Sequence, residues 1–141
     1  MNKVAVVYWS GTGNTEAMAE AIVEGAQANG AEATLFTSSE FDSSLVEQYD
    51  SFAFGCPSMG AEVLEDGEFE PMFLDCKPKL VGKKVALFGS YGWGDGEWMR
   101  NWVSDCNDAG LTLVNDGLII NETPDEDGLA DCKAVGAELA N

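Results

Sequence analysis

Apolar residues recur along the chain with two different periods, and the two alternate. Apolar runs bounded by turns predict strands, whereas apolar residues at every third or fourth position predict helices that bury one face. The predicted strands lie at about 3–8, 32–36, 51–55, 84–89 and 111–120. The predicted helices lie at about 15–28, 44–48, 68–76, 97–109 and from 124 onward. This alternation indicates an α/β fold: a five-stranded parallel sheet of order 2-1-3-4-5, doubly wound by helices on both faces.

Local signals predict where two of these elements bend or begin. The last strand contains Asn115-Asp116-Gly117, a turn sequence, and we expect a bend there. The final helix follows Thr123-Pro124-Asp125-Glu126. We expect Thr123 to cap it, Pro124 to take the first helical position and Glu126 to complete a capping box.

Length and charge narrow the possible classes of protein. The 141 residues suit one domain, 1–141, and the 45% hydrophobic content suits a packed core. No apolar run approaches 18 residues and no signal peptide precedes the first strand, so we expect a cytoplasmic protein with no membrane insertion. The formal net charge of −18 disfavours nucleic acid as a partner. It suits docking onto basic patches of other proteins, although solubility alone is an alternative explanation.

The four cysteines and the absence of histidine exclude further kinds of site. No two cysteines form a CxxC motif and the chain has no histidine, which argues against zinc sites and Cys/His nucleophiles. We expect Cys76, Cys106 and Cys132 to be buried free thiols. We make no prediction of burial for Cys56, because it precedes a proline in a loop that could form a site.

The first loop after a strand has the composition of a phosphate cradle. In sheets of this order, ligands bind beyond the carboxyl ends of the strands, where loops 9–15, 56–66 and 90–96 meet. The segment Ser10-Gly11-Thr12-Gly13-Asn14-Thr15 offers hydroxyl, amide and backbone donors at a helix N-terminus. It contains no lysine or arginine, so it is not a Walker loop. A glycine-rich turn with no ligand is the alternative.

The other two loops offer groups that suit a flat aromatic ring. Trp93 lies between glycines, where an indole is well explained as a stacking wall. Met59 could cover the other face of a ring, although core packing is the commoner role of a lone methionine. Glu62 could accept a hydrogen bond from a ring N–H, whereas Trp98 and Trp102 have helical spacing and are assigned to the core. A phosphorylated planar cofactor fits these loops, and flavin mononucleotide (FMN) fits best.

These motifs resemble those of the flavodoxins, and specifically the short-chain type of anaerobic bacteria. The similar segments are residues 8–15, the 56–66 loop with Met59-Gly60, and residues 89–96. The resemblance implies a low-potential one-electron carrier, not an enzyme. It would use non-covalently bound FMN, shuttle between semiquinone and hydroquinone, and serve redox enzymes in place of ferredoxin. Its partners would be redox proteins with basic docking surfaces, and we expect a monomer.

The resemblance also implies a role for individual residues. Ser10 to Thr15 would hold the phosphate, with Ser58 and Ser90 as further donors. Met59 and Trp93 would cover the two ring faces, the peptide at Gly60 would reorient on reduction, and Glu62 would accept from the pyrimidine N3–H. The implied cofactor-binding residues are Trp9, Ser10, Gly11, Thr12, Gly13, Asn14, Thr15, Ser58, Met59, Gly60, Ala61, Glu62, Ser90, Tyr91, Gly92, Trp93 and Gly94. Ala61 is a departure, because related sequences often place an acidic or polar residue there.

Three other classes of protein share parts of this pattern. An FMN-dependent quinone or azo-compound reductase needs an open pocket over the ring, which Met59 and Trp93 should block. A phosphoacceptor signalling domain needs acidic residues where this chain has Tyr8-Trp9-Ser10 and Gly55-Cys56-Pro57. A low-molecular-weight phosphatase needs a loop running from cysteine to arginine, and Arg100 is the sole arginine of the sequence.

Overall fold

Helices cover both faces of a parallel sheet in the computed structural model, which describes residues 2–60 and 62–141. The strands are β1 (Lys3–Tyr8), β2 (Glu32–Thr37), β3 (Ser51–Gly55), β4 (Lys84–Tyr91), β5 (Thr112–Leu113) and β6 (Leu118–Asn121). The α-helices are α1 (Asn14–Ala28), α2 (Phe69–Cys76), α3 (Glu97–Asp108) and α4 (Glu126–Ala140). Short 3₁₀ helices span Ser38–Glu40, Ser43–Gln48 and Lys77–Leu80. The expectation for Ala61 concerns a residue outside the described part of the chain.

The strand order is β2-β1-β3-β4-β5, and β6 also pairs with β4 in parallel. This confirms the predicted order, with the fifth strand broken at the predicted bend. Asn115 lies in the break, where its side-chain amide donates to the Leu87 carbonyl at 3.1 Å and accepts from the Leu87 N–H at 3.2 Å. The side chain thus replaces the backbone partner that β4 would otherwise lack.

Aromatic side chains fill the core on one face of the sheet, under α2 and α3. Trp98 and Trp102 are buried there, which confirms their assignment to the core. Smaller residues fill the other face, under α1 and α4. Those two helices cross so closely that a Cβ at Gly25 would meet the Lys133 backbone, and one at Gly136 would meet the Ile22 backbone. Glycine is therefore required at the crossing.

The predicted cap of α4 is wrong by two residues. The helix is capped by Asp125, whose carboxylate accepts from the Gly128 N–H at 2.8 Å. Thr123 instead donates its hydroxyl to Asn14 Oδ1 at 3.3 Å, and so it joins the last strand to the start of α1. Both residues can cap a helix, and the contact with Asn14 occupies Thr123.

All four cysteines are buried and have free thiols. This confirms the expectation for three of them and answers the open question at Cys56. Burial raises the pKa of the Cys56 thiol to about 12. No helix in residues 2–60 and 62–141 combines the length and apolar character needed to cross a membrane.

Candidate functional site

The loop between β1 and α1 is shaped by Ser10. Its Oγ accepts from the Gly13 N–H at 3.0 Å and from the Glu16 N–H at 3.4 Å. Gly13 takes a φ of +93°, a conformation that favours glycine. Gly11 and Thr12 are exposed ahead of the helix, whose first amides have no partner inside it. The Ser10 hydroxyl proton also stays free to donate, so this end of α1 can bind an anion.

Thr15 ties this loop to the end of β4. Its side chain is buried, with 1% exposed, and its Oγ1 lies 2.9 Å from Ser90 Oγ. The same Oγ1 accepts from the Ser90 N–H at 3.3 Å. Ser58 N–H in turn donates to the Ser90 carbonyl at 3.0 Å. Three loops that are distant in sequence are thus joined at Ser90.

The second loop turns back on itself between Met59 and Val63. The Met59 N–H donates to the Val63 carbonyl at 3.0 Å, and the Val63 N–H donates to the Met59 carbonyl at 3.1 Å. Inside the turn, Gly60 has a φ of +44° and Glu62 a φ of +55°. A left-handed backbone costs a residue with a side chain about 1 kcal/mol or more, and such strain clusters at functional sites. Glu62 therefore marks the tip of this loop as a candidate site.

The Glu62 carboxylate is buried against the third loop. The residue is 8% exposed, and its Oε1 has no hydrogen-bond partner among the described residues. A Cβ at Gly94 would lie 2.6 Å from Glu62 Cδ, so only glycine leaves room for the carboxylate. Buried polar atoms are nearly always hydrogen-bonded. This unpartnered oxygen is therefore suited to accept from a bound group.

A cavity of about 620 Å³ opens where the loops meet. Its lining residues are Trp9, Gly11, Thr12, Asn14, Pro57, Ser58, Met59, Ser90, Tyr91, Gly92, Glu122 and Thr123. This volume is typical of cofactor sites. No lysine or arginine is among these described lining residues, and Glu122 is their one charged side chain. A bound phosphate would therefore be held by neutral donors.

Most of the predicted residues lie at this cavity or beside it. Nine of them line it: Trp9, Gly11, Thr12, Asn14, Ser58, Met59, Ser90, Tyr91 and Gly92. Ser10 and Gly13 line an adjoining polar cavity of about 420 Å³ on the side of β2. Gly60, Glu62 and Gly94 lie at the tips of the second and third loops, and Trp93 is 64% exposed.

Three lining residues are absent from the sequence-based prediction: Pro57, Glu122 and Thr123. Glu122 and Thr123 follow β6, whose end reaches the same edge of the sheet. Glu122 has a φ of +57° and donates its N–H to the Tyr91 carbonyl at 2.7 Å. The rule that placed the other loops at this edge applies equally to the last strand, and it would have found both residues.

The model of the flavodoxin family matches residues 6–136. The chain belongs to the flavodoxin family. Among its relatives, the flavodoxin of Megasphaera elsdenii is 47% identical over 137 residues, covering 97% of this chain and 98% of that one. The flavodoxin of Clostridium beijerinckii is 46% identical over 136 residues, covering 96% and 98%. The solution structure of two-electron reduced Megasphaera elsdenii flavodoxin superposes with a TM-score of 0.90 at 47% identity, covering 97% and 98%.

Family membership confirms the cofactor and the class of function predicted from the sequence. This flavodoxin binds FMN and transfers electrons, and it is not an enzyme. The residues present suit FMN on two counts. A loop of neutral donors stands at a helix N-terminus, and a buried carboxylate oxygen has no donor among residues 2–60 and 62–141.

Proposed function

We propose that this flavodoxin is a low-potential carrier of single electrons whose FMN lies between the first, second and third loops. The observation that carries the proposal is the unpartnered Glu62 Oε1, buried beside the loop of Trp93 and Gly94. The whole chain, 1–141, is proposed to act as one FMN-binding domain. Bound FMN supplies the one-electron chemistry, and the protein sets its energy.

The proposed roles follow from the contacts of each side chain. Gly11, Thr12 and Asn14 line the cavity at the helix N-terminus and would hold the phosphate. Ser10 shapes that loop. Met59 and Trp93, on facing loops, would cover the two ring faces, and Glu62 would accept from the N3–H.

Two further site residues would support the site by joining its loops and not by binding FMN directly. Thr15 and Ser90 hold the loops together through their mutual hydrogen bond. The remaining proposed cofactor-binding residues are Trp9, Gly13, Ser58, Gly60, Ala61, Tyr91, Gly92 and Gly94, together with Pro57, Glu122 and Thr123.

Charge supports the low potential. The described lining of the cavity lacks a cationic side chain, and the chain carries a net charge of −18. An electron that is taken up without a proton increases the negative charge of the site, which such surroundings oppose. The protein would therefore release its second electron readily and act as a strong reductant.

The acidic surface also supports a class of partner. We infer docking to basic patches near the redox centres of oxidoreductases, including enzymes served by ferredoxin. Trp93 and Val63 are 64% and 52% exposed and belong to the third and second loops, so they would touch such partners. Mutual repulsion between chains of −18 favours a monomer. Four free thiols suit the reducing cytoplasm.

Anaerobic reductive titration of the FMN-loaded protein, followed by visible absorption at low and high salt, tests this function. We expect two separate one-electron steps, the second at a very low potential that rises as salt screens exposed charges. A single two-electron step would contradict the carrier. A second potential near that of free flavin, unchanged by salt, would contradict the electrostatic argument.

A further inference from the structure

A smaller cavity, open to solvent at one side, lies between the 56–66 loop and α3. Its volume is about 150 Å³, and Glu62 and Trp102 both line it. These are also the two residues whose buried side-chain polar atoms, Glu62 Oε1 and Trp102 Nε1, lack a hydrogen-bond partner in the described part of the chain. They are 8% and 3% exposed. Glu62 Oε1 is a hydrogen-bond acceptor and Trp102 Nε1–H is a donor, so a single bridging molecule could pair with both.

Trp102 cannot easily turn to another partner. Its ring meets the rings of Phe69 and Phe73 edge-on, with centroids 5.4 and 5.5 Å away and interplanar angles of 89° and 83°. Trp98, one turn earlier on α3, donates its Nε1–H to the Cys56 carbonyl at 3.1 Å. Of these two tryptophans, Trp102 is therefore the one whose indole N–H has no partner in the described part of the chain. A buried N–H without a partner reduces the free energy of unfolding by about 1–3 kcal/mol.

Water suits both atoms, because it accepts from an indole N–H and donates to a carboxylate, whose remaining lone pairs stay available for the flavin N3–H. The cavity is far larger than the roughly 10–15 Å³ that one water needs. A cation fits less well, because in the described part of the chain no three acidic, histidine or cysteine side chains are placed to hold a metal ion. It would leave the indole N–H unpaired. The chemistry of the two atoms thus selects water.

We propose that an ordered water at the buried end of this cavity links Trp102 Nε1–H to the Glu62 carboxylate. Trp102 is then a positioning residue: it restricts the Glu62 carboxylate, which is proposed to accept from the cofactor, without itself touching the cofactor. The inference rests on the proposed function for the ligand role of Glu62. The hydrogen-bond link itself does not, because both atoms belong to the protein.

NMR of the FMN-free protein with ¹⁵N-labelled tryptophan tests the link directly. We expect the indole proton of Trp102 to show stronger cross-relaxation with bound water than that of Trp98, which lines the same cavity but donates to the Cys56 carbonyl. The Trp102→Phe variant assigns the signal. Absence of water contact at Trp102 would overturn the proposal, as would a contact abolished by added calcium, which would indicate a cation site.

FMN affinity tests the positioning role. We expect Trp102→Phe to weaken binding about fivefold, Glu62→Gln to weaken it more, and the double variant to match Glu62→Gln alone, since the two residues act in series. Phe73→Leu disturbs the same aromatic wall without removing the N–H, and it should leave affinity unchanged. The positioning role of Trp102 would be overturned if the losses of FMN affinity in the two single variants multiplied in the double variant. It would also be overturned if Phe73→Leu lost as much affinity as Trp102→Phe. If Glu62→Gln left FMN affinity unchanged, the proposed role of Glu62 as a flavin ligand would be wrong. The hydrogen-bond link between Trp102 and Glu62 would still be tested separately by the NMR contact.

Discussion

The Glu62 carboxylate packs against the α-carbon of Gly94, so residue 94 has no room for a side chain. A Cβ there would lie 2.6 Å from Glu62 Cδ and 3.1 Å from Glu62 Oε2. The second loop therefore seats its acidic side chain on the third loop, next to Trp93. The position of this carboxylate therefore depends on glycine at residue 94.

Gly94→Ala should displace the carboxylate and weaken FMN binding roughly tenfold or more, since hydrogen bonds to charged groups contribute about 1.5–3 kcal/mol. Gly82→Ala is a matched control. Gly82 has a φ of +83° against +86° for Gly94, and a Cβ at Gly82 meets nothing within 4 Å. Both variants carry the same backbone strain. Isothermal titration with FMN should therefore separate them, and equal affinities would contradict the role of the contact.

Thr15→Val should destabilise the FMN-free protein by about 1–3 kcal/mol, because it leaves the buried Ser90 N–H without its acceptor. Thr12→Val removes a hydroxyl from the same loop at an exposed position. It should leave stability unchanged and weaken FMN binding. Urea unfolding measures the first effect and FMN titration the second. If Thr12→Val lost as much stability as Thr15→Val, the two threonines would not have separate roles in stability and in FMN binding.

Gly60→Val should change the gap between the two one-electron potentials. Gly60 has a φ of +44°, and a Cβ there would meet no described atom within 4 Å, so the substitution acts mainly on the backbone. A β-branched residue pays about 1–2 kcal/mol for such a conformation, which corresponds to roughly 40–90 mV in a one-electron potential. Gly60→Asn, which tolerates positive φ, should change the gap less. Identical gaps in all three proteins would contradict a role for the Gly60 peptide.

The sheet could be predicted from the sequence because its signals are local. Most strands are apolar runs bounded by turn residues, and connection rules then limit the order. The break in the last strand could be predicted from the sequence only in part. Asn115-Asp116-Gly117 predicted the bend, but the way Asn115 completes β4 depends on Leu87, which lies 28 residues earlier in the chain.

The roles of hydroxyl groups at the site could not be predicted in the same way. Ser10, Thr12 and Thr15 look alike in a loop rich in donors. The structure separates them because α1 turns Thr15 towards β4 and leaves Thr12 exposed. Thr123 is the same kind of case, since its contact with Asn14 comes from the far end of the chain. Tertiary contacts, rather than residue type, determine which hydroxyl remains available to a ligand.

Cys56 should be inert towards thiol reagents although it lies in a site loop. Burial raises its pKa to about 12, so the thiol stays protonated at pH 8. The unfolded value is about 8.5, so the stability that the neutral thiol contributes is complete below that pH and is lost as pH rises towards 12. An aromatic disulfide reagent should label the native protein slowly and the urea-unfolded protein at all four cysteines. Fast labelling of native Cys56 would contradict its burial.

Glu122→Gln should strengthen FMN binding several-fold at low salt. Glu122 lines the cavity and precedes Thr123, which bonds to Asn14 of the phosphate loop. Its charge therefore opposes a phosphate held by neutral donors, and salt should reduce the gain. Glu138→Gln makes the same change in net charge at an exposed position of α4 and should have little effect. Riboflavin lacks the phosphate, so its affinity should not respond to Glu122→Gln. An equal gain for riboflavin would show that Glu122 acts on another part of the flavin.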